Sequence, residues 1–263
     1  MIIAQISDTH IALGAADAGH RAADLAHTLA DINALDPAPD VIIHTGDVVH
    51  GGRREDYAAA ASLFVAARMP IYIAPGNRDD RENLRQSLPR WVRPATGSGF
   101  LDYAVEDFPV RLIALDTASP ASNKGDFPPD RAHHLAALIE AGSRKPVAVF
   151  MHHPPFVVSV GPDPLNFVTA EAMARLQRTL ESSGRVAAVF CGHVHRSTCG
   201  RIGDIPVMVA PCTATTLRKG DLPPQMGDRP VYHLHRLDAA GGLVTEMRIV
   251  AAATCATQDG YSS

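Results

Sequence analysis

The chain has 263 residues, 46% of them hydrophobic and 20% charged, with a formal net charge of −4. That length suits one sizeable α/β domain spanning residues 1–263, and the balanced charge, without a lysine/arginine cluster, argues against a nucleic-acid polymer as partner. No apolar run approaches the ~20 residues of a membrane span, the start lacks a basic and apolar leader, and the four cysteines lack C-x-x-C spacing; a cytoplasmic chain with reduced thiols is the expectation.

Ile2–Ile6 reads as a short apolar strand that ends at Ser7-Asp8-Thr9-His10. Arg21–Leu35 carries Ala22, Leu25, Ala26, Leu29 and Ile32 at helical spacing, and Pro37 and Pro39 follow it. A second strand, Val41–His44, stops at Gly46-Asp47; the alanine-rich helix Asp56–Ala67 comes next, and a third strand, Pro70–Ala74, stops at Pro75-Gly76-Asn77-Arg78-Asp79. Strands alternating with helices, each strand followed by a polar set, predict an α/β layout in which ligands gather outside the carboxyl ends of the strands.

Asp80–Leu88 is expected to be helical, and Phe100–Val105 and Val110–Asp116 to pair antiparallel. Asp130–Ala141 reads as a helix with Asp130 as its cap. The buried strand Pro146–Met151 ends in His152-His153-Pro154-Pro155, the helix Ala170–Ser182 follows, and the apolar run Val186–Phe190 breaks at Gly192 ahead of His193 and His195. Ile205–Ala210, Val231–Leu237 and Gly242–Val250 have β character, with a hairpin turn at 239–242 and a loose polar tail at the end. The strands after residue 197 either extend the second sheet or form a hairpin that caps the site and pairs two subunits.

Taken singly, each strand-end set has a plain explanation. Asp8 could cap a helix beside a chance histidine, Gly46-Asp47 and Gly76-Asn77 are common turns, and His152-His153 could be surface histidines. His193 and His195 are sharper, because i, i+2 side chains on an extended segment face the same way. Together, five strand ends deliver carboxylate, imidazole and amide oxygen to one sheet edge, a donor set suited to manganese, iron, cobalt or zinc rather than magnesium. Seven candidate ligands exceed the needs of one ion, and a carboxylate able to bridge argues for two metals roughly 3.5–4 Å apart.

The ordered blocks Asp8-x-His10, Gly46-Asp47, Gly76-Asn77, His152 and Gly192-His193-x-His195 resemble the signature of the calcineurin-like metallophosphoesterases over residues 1 to about 200. Within that superfamily the Asp-Thr-His opening and Gly-His-Val-His-Arg ending resemble bacterial class III cyclic nucleotide phosphodiesterases and glycerophosphodiesterases. The resemblance implies a four-layer αββα sandwich of two mixed β-sheets flanked by helices. It also implies two divalent ions: Asp8, His10 and His195 on the first, Asn77, His152 and His193 on the second, with Asp47 bridging. A hydroxide held by the metals would attack phosphorus, with Asp47, Asn77, Arg78 and His193 at the chemistry and Arg78, Asn77 and His153 against the substrate.

One position departs from the pattern. The family usually has a histidine after the block-three asparagine, and this chain has Arg78. Arginine cannot serve as a general acid near neutral pH, but its fork can grip phosphate oxygens; the alternative is a surface arginine paired with Asp79 or Asp80. A related branch that cleaves a nucleotide-linked glucosamine lipid also carries Gly-Asn-Arg-Asp, in otherwise different surroundings.

Outside the motif, His44 reads as a packed residue, His50 as either pocket-lining or solvated, and His133, His134, His233 and His235 as structural. Cys191 reads as a small core residue. Thr213–Thr216 falls where the family loops back over the site, so it is a candidate substrate contact, and the loops Trp91–Gly99, Pro154–Asn166 and Thr213–Asp228 are expected to set substrate choice. The functional expectation is a dinuclear-metal hydrolase of a small phosphodiester, either a cyclic nucleotide or a glycerophosphodiester, acting as a cytoplasmic dimer. A phosphomonoesterase or pyrophosphatase on the same scaffold, and a non-catalytic interaction module, are the competing readings.

Overall fold

A computed structural model of the protein describes residues 1–93, 99–159, 166–220, 224–238 and 240–251. In chain order the elements are β1 (Ile2–Ile6), α1 (Ala18–Asn33), β2 (Val41–His44), α2 (Arg54–Phe64), β3 (Ile71–Ile73), α3 (Arg81–Ser87), β4 (Tyr103–Val105), β5 (Arg111–Leu115), β6 (Ala118–Ser119), β7 (Ser122–Gly125), α4 (Pro129–Glu140), β8 (Val147–Met151), α5 (Ala170–Ser182), β9 (Val186–Cys191), β10 (Thr198–Ile202), β11 (Ile205–Val209), β12 (Val231–Leu237) and β13 (Leu243–Ile249). A short 3-10 turn covers Thr215–Leu217.

Two sheets carry the fold. The first has the order β13-β12-β1-β2-β3 and the second β10-β11-β9-β8-β5-β4. β1, β2 and β3 run parallel, as do β5, β8, β9 and β11. Within each set the carboxyl ends therefore fall at one edge, and the loops that leave it carry the polar blocks.

Side-chain alternation along the strands explains the layers. Leu112 and Ala114 of β5, and Phe150 and Phe190 of β8 and β9, cluster with the first sheet and with Leu25, Leu29, Tyr57, Phe64 and Leu84 of α1–α3. Their neighbours Ile113, Leu115, Val149 and Cys191 face the other way, onto Leu135 and Ile139 of α4 and Leu176 and Leu180 of α5. Every residue of β5 and β8 is buried, the pattern of a parallel sheet covered on both faces. Helix, sheet, sheet, helix is the expected sandwich.

Several local expectations change. α1 begins three residues earlier than Arg21 and ends at Asn33. α4 is not capped by Asp130: Pro128 is its cap and Pro129 its first helical residue, where a missing N–H costs nothing, while Asp130 complements the helix dipole from the first turn. Strands β6, β7 and β10 were not expected; Thr-Cys-Gly-Arg-Ile carries no clean period. β10 and β11 extend the second sheet, whereas β12 and β13 join the first beside β1. The tail after residue 251 and part of the expected 239–242 turn lie outside the described residues.

Candidate metal centre

Asp8, His10, Asp47, His193 and His195 each sit just past a strand, and each has a left-handed backbone, with φ of 54°, 44°, 55°, 73° and 58°. Among the described residues no other non-glycine residue has positive φ. Such strain, of order 1–3 kcal/mol per residue, persists only where surrounding contacts enforce it. Tight turns let the side chains double back over the sheet edge. Close backbone approach adds to this: a Cβ at Gly76 would collide with the Asp47 carboxylate, and one at Gly192 with the Ser7 hydroxyl.

The turns bring the predicted residues together. Asp8, His10, Asp47 and His195 offer donor atoms that all lie within 4.8 Å of one another. His10 Nε2 is 3.1 Å from His195 Nε2, 3.7 Å from Asp8 Oδ1 and 3.6 Å from Asp47 Oδ2, and His195 Nε2 is 3.2 Å from Asp8 Oδ1. Alongside, His152 Nε2 lies 3.1 Å from Asn77 Oδ1 and 3.5 Å from Asp47 Oδ1. The His193 ring packs on His152, with centroids 5.0 Å apart. Asp47 thus touches both groups.

Outer partners orient these rings. His152 Nδ1–H donates to the Thr45 carbonyl at 2.7 Å, and His195 Nδ1–H to the Leu217 carbonyl at 2.7 Å. Each bond commits Nδ1 to a proton and leaves Nε2 of the neutral ring as the free donor, the usual arrangement of ligating histidines. Asp8 Oδ2 accepts from the Ser7 hydroxyl and the His193 N–H, at 2.5 and 3.0 Å.

Asp8 Oδ1, by contrast, is buried and accepts no well-formed hydrogen bond; only the His195 and His10 imidazoles face it, at 3.2 and 3.7 Å. A buried carboxylate oxygen without a donor is costly, and a cation would satisfy it. The surrounding oxygen and nitrogen donors suit a borderline divalent metal, so this cluster could hold one.

The electrostatics agree. Burial works to raise the Asp8 carboxyl, but the adjacent His195 and His10 outweigh it and hold Asp8 well below its ordinary value. Burial opposes charge on His195 and His152 as well; beside Asp8 and Asp47 respectively they are nonetheless raised to about 11 and about 9. Protons thus balance the carboxylates in the metal-free protein, and metal uptake would release them. Burial pushes His193 down to about 3, leaving it neutral.

His153 differs from its neighbour. Its Nδ1 meets the Thr117 hydroxyl at 2.8 Å and its Nε2 the Asn123 carbonyl at 3.2 Å. Because a carbonyl only accepts, Nε2 carries the proton, and both nitrogens have protein partners. One of its ring nitrogens nonetheless lies within 4.8 Å of nitrogens of His152 and His193.

Arg78 donates its backbone N–H to Asp47 Oδ1 at 2.7 Å. Among the described residues its guanidinium has no hydrogen-bond or ion-pair partner, so the alternative of a pair with Asp79 or Asp80 is not what forms. Asp79 instead accepts from the Gly76, Val48 and Val49 N–H groups and the Tyr57 hydroxyl, and Asp80 caps α3 through Asn83. His50 is close to the centre, with Nδ1 3.3 Å from His10 Nδ1. His44 is packed, its Nε2 at the Thr9 hydroxyl.

Two features escaped sequence reasoning. Cys212 lies within reach of His10 and His195, but burial raises its thiol and the S–H points at backbone carbonyls of Asp8 and Ala214. Thr215 and Thr216, expected as substrate contacts, spend their hydroxyls on Asp24 of α1 and on Asp17, the residue just before it. Residues 94–98, 160–165 and 221–223 of the loops expected to choose the substrate lie outside the described residues.

Comparison with known proteins gives a consistent result. Residues 1–197 match the family described as calcineurin-like phosphoesterase. The chain is 32% identical over 221 residues to the glycerophosphodiester phosphodiesterase GpdQ of Enterobacter lignolyticus, covering 81% of this chain and 77% of that one. It is 31% identical over 228 residues to a cAMP/cGMP dual specificity phosphodiesterase of Mycobacterium tuberculosis, covering 82% and 68%. Its fold is similar to that of yellow lupin purple acid phosphatase, with 12% identity and a TM-score of 0.63 over 95% of this chain and 51% of that one.

Proposed function

The chain belongs to the calcineurin-like phosphoesterases, and from that premise we propose that it is a metal-dependent hydrolase of a small phosphodiester, with two divalent ions. The observation that carries the reading is the convergence of donor atoms from Asp8, His10, Asp47 and His195 within 4.8 Å of one another, around a buried Asp8 Oδ1 that accepts no well-formed hydrogen bond. Asp8, His10 and His195 would hold one ion and Asn77, His152 and His193 the other, with Asp47 between them. Bound divalent ions supply Lewis-acid charge to the phosphoryl oxygens and lower the pKa of a nucleophilic water.

The chain's own residues do the rest. Thr45 and Leu217 carbonyls keep His152 and His195 aimed inward, and Asp47 is held in place by the Arg78 N–H. The uncommitted Arg78 guanidinium would grip nonbridging phosphate oxygens in a forked contact. It cannot protonate a leaving group near neutral pH, so in this reading Arg78 binds and orients. His153 is left out of the substrate contacts because both its nitrogens are engaged.

The diester rests on the relatives' names: a glycerophosphodiester in one and cyclic nucleotides in the other. Purified protein supplemented with manganese should hydrolyse bis(p-nitrophenyl) phosphate faster than p-nitrophenyl phosphate. A clear preference for the monoester would overturn the diesterase reading, and no turnover with any divalent metal would favour an interaction module. A cytoplasmic dimer built on one domain completes the proposal; light scattering of the purified chain tests the dimer.

A further inference from the structure

The two imidazoles that meet at Asp8 come from distant parts of the chain, and α1 bonds both the His10 backbone and the turn that orients His195. Arg21 Nη1–H donates to the His10 carbonyl at 3.0 Å. One turn further along α1, Asp24 is 4% exposed, and its Oδ2 accepts both the backbone N–H and the hydroxyl of Thr215, at 2.7 and 2.8 Å. Thr216 donates its hydroxyl to Asp17 at 2.5 Å, and Asp17 is ion-paired with Arg21 at 2.9 Å. The next residue, Leu217, supplies the carbonyl that His195 Nδ1–H binds.

We propose that Asp24 is a positioning residue of the metal centre: by clamping Thr215 it holds the Leu217 carbonyl where that carbonyl aims His195 Nε2 at Asp8. The proposal rests on the metal-centre reading above. A 3-10 turn of three residues has little internal support; the Leu217 N–H reaches the Ala214 carbonyl within it. Its position must come from outside, and two donors on one buried carboxylate form strong, charge-assisted bonds. α1 itself is anchored through Leu25, Leu29 and Ile32 in the core, so the carboxylate is not needed to seat the helix. It joins a rigid element to a turn that carries one acceptor for one ligand. Loss of such outer partners typically lowers metal affinity about 10–100-fold.

The test compares wild type with Asp24→Ala, Thr215→Ala and Thr215→Ser, the last keeping both bonds. Protein labelled with 15N-histidine should show an exchange-protected His195 Nδ1–H signal in wild type and Thr215→Ser, weakened in Thr215→Ala and lost in Asp24→Ala. In a calorimetric titration with manganese, one of two bound equivalents should weaken about 10–100-fold in Asp24→Ala, less in Thr215→Ala, while the other stays within twofold. Unchanged Nδ1–H protection and unchanged affinities in both alanine variants would overturn the clamp. If Asp24→Ala does not fold, Thr215→Ala, which deletes a hydroxyl on a surface turn, decides by the same readouts. A wild type that binds no manganese would sink the metal-centre reading instead, and the Nδ1–H signal would then decide the clamp alone.

Discussion

His233 and His235 on β12 are 1% and 0% exposed, as deeply buried as His152 at the end of β8, but their ring nitrogens meet different partners. His235 donates Nε2–H to Gln5 Oε1 at 2.9 Å and faces the Thr245 hydroxyl at 2.8 Å through Nδ1; Gln5 passes the chain on to the Cys191 carbonyl across the sandwich. His233 meets the Ser197 hydroxyl. These rings lie on a regular strand and bond to neutral groups. His152 and His195 instead give one nitrogen to a carbonyl and point the other at a carboxylate, and His195 does so from a strained backbone. Burial alone therefore does not mark an imidazole as a ligand. What sets the candidate ligands apart is a nitrogen aimed at a buried anionic oxygen.

The sharpest way to break this contrast is to remove both histidines of the last block. His193→Ala with His195→Ala should abolish tight uptake of two manganese equivalents and lower diester turnover by about two to three orders of magnitude, as steady-state kinetics and calorimetry would read. Unchanged affinity for two equivalents would erase the distinction.

The strand pair should respond to pH rather than to metal. Burial pushes His233 down to about 4 from an ordinary value of 6.5. Between those values the unfolded chain binds a proton that the folded chain refuses, so stability falls as the pH drops from about 6.5 to about 4 and is retained above that window. The loss is roughly 3 kcal/mol, and urea melts should show it in wild type and not in His233→Phe. An equally steep decline in the variant would contradict it.

Arg78 extends the comparison to the rim of the centre. Arg78→Ala should lower kcat/KM for the diester about 10–100-fold, the worth of a charge-assisted contact, with manganese affinity little changed. Because Asp47 is held by the Arg78 backbone N–H, which alanine keeps, an equal loss of metal affinity would contradict the phosphate-gripping role of the guanidinium. The smallest expected effect on turnover belongs to His235→Ala, which strands Gln5 Oε1 and should cost about 1–3 kcal/mol in urea unfolding while turnover per folded molecule holds.

The candidate ligands could be picked out because each follows an apolar run, and a run that stops at Gly-Asp or Gly-Asn announces both a strand and its exit. β1 and β2 match their expected bounds because their apolar runs stop at polar residues, and α5 does so as a helix with Ala172, Leu176 and Leu180 on its buried face. What could not be read is contact between residues far apart in the chain. No local pattern pairs Thr215 with Asp24 or puts Cys212 beside His195. The alternation of Val231–Leu237 predicts a strand but not which sheet receives it. His153 and His152 are adjacent in sequence, and only the position of Asn123 and Thr117 tells that one of them is already engaged.

The five left-handed residues have an evolutionary consequence. A side chain at such φ costs roughly 1 kcal/mol or more relative to glycine, and five together approach the whole net stability of an ordinary domain, about 5–15 kcal/mol. Selection for stability alone would favour glycine at these sites. A lineage released from hydrolysis should drift toward glycine there first, erasing the centre while the sandwich remains intact.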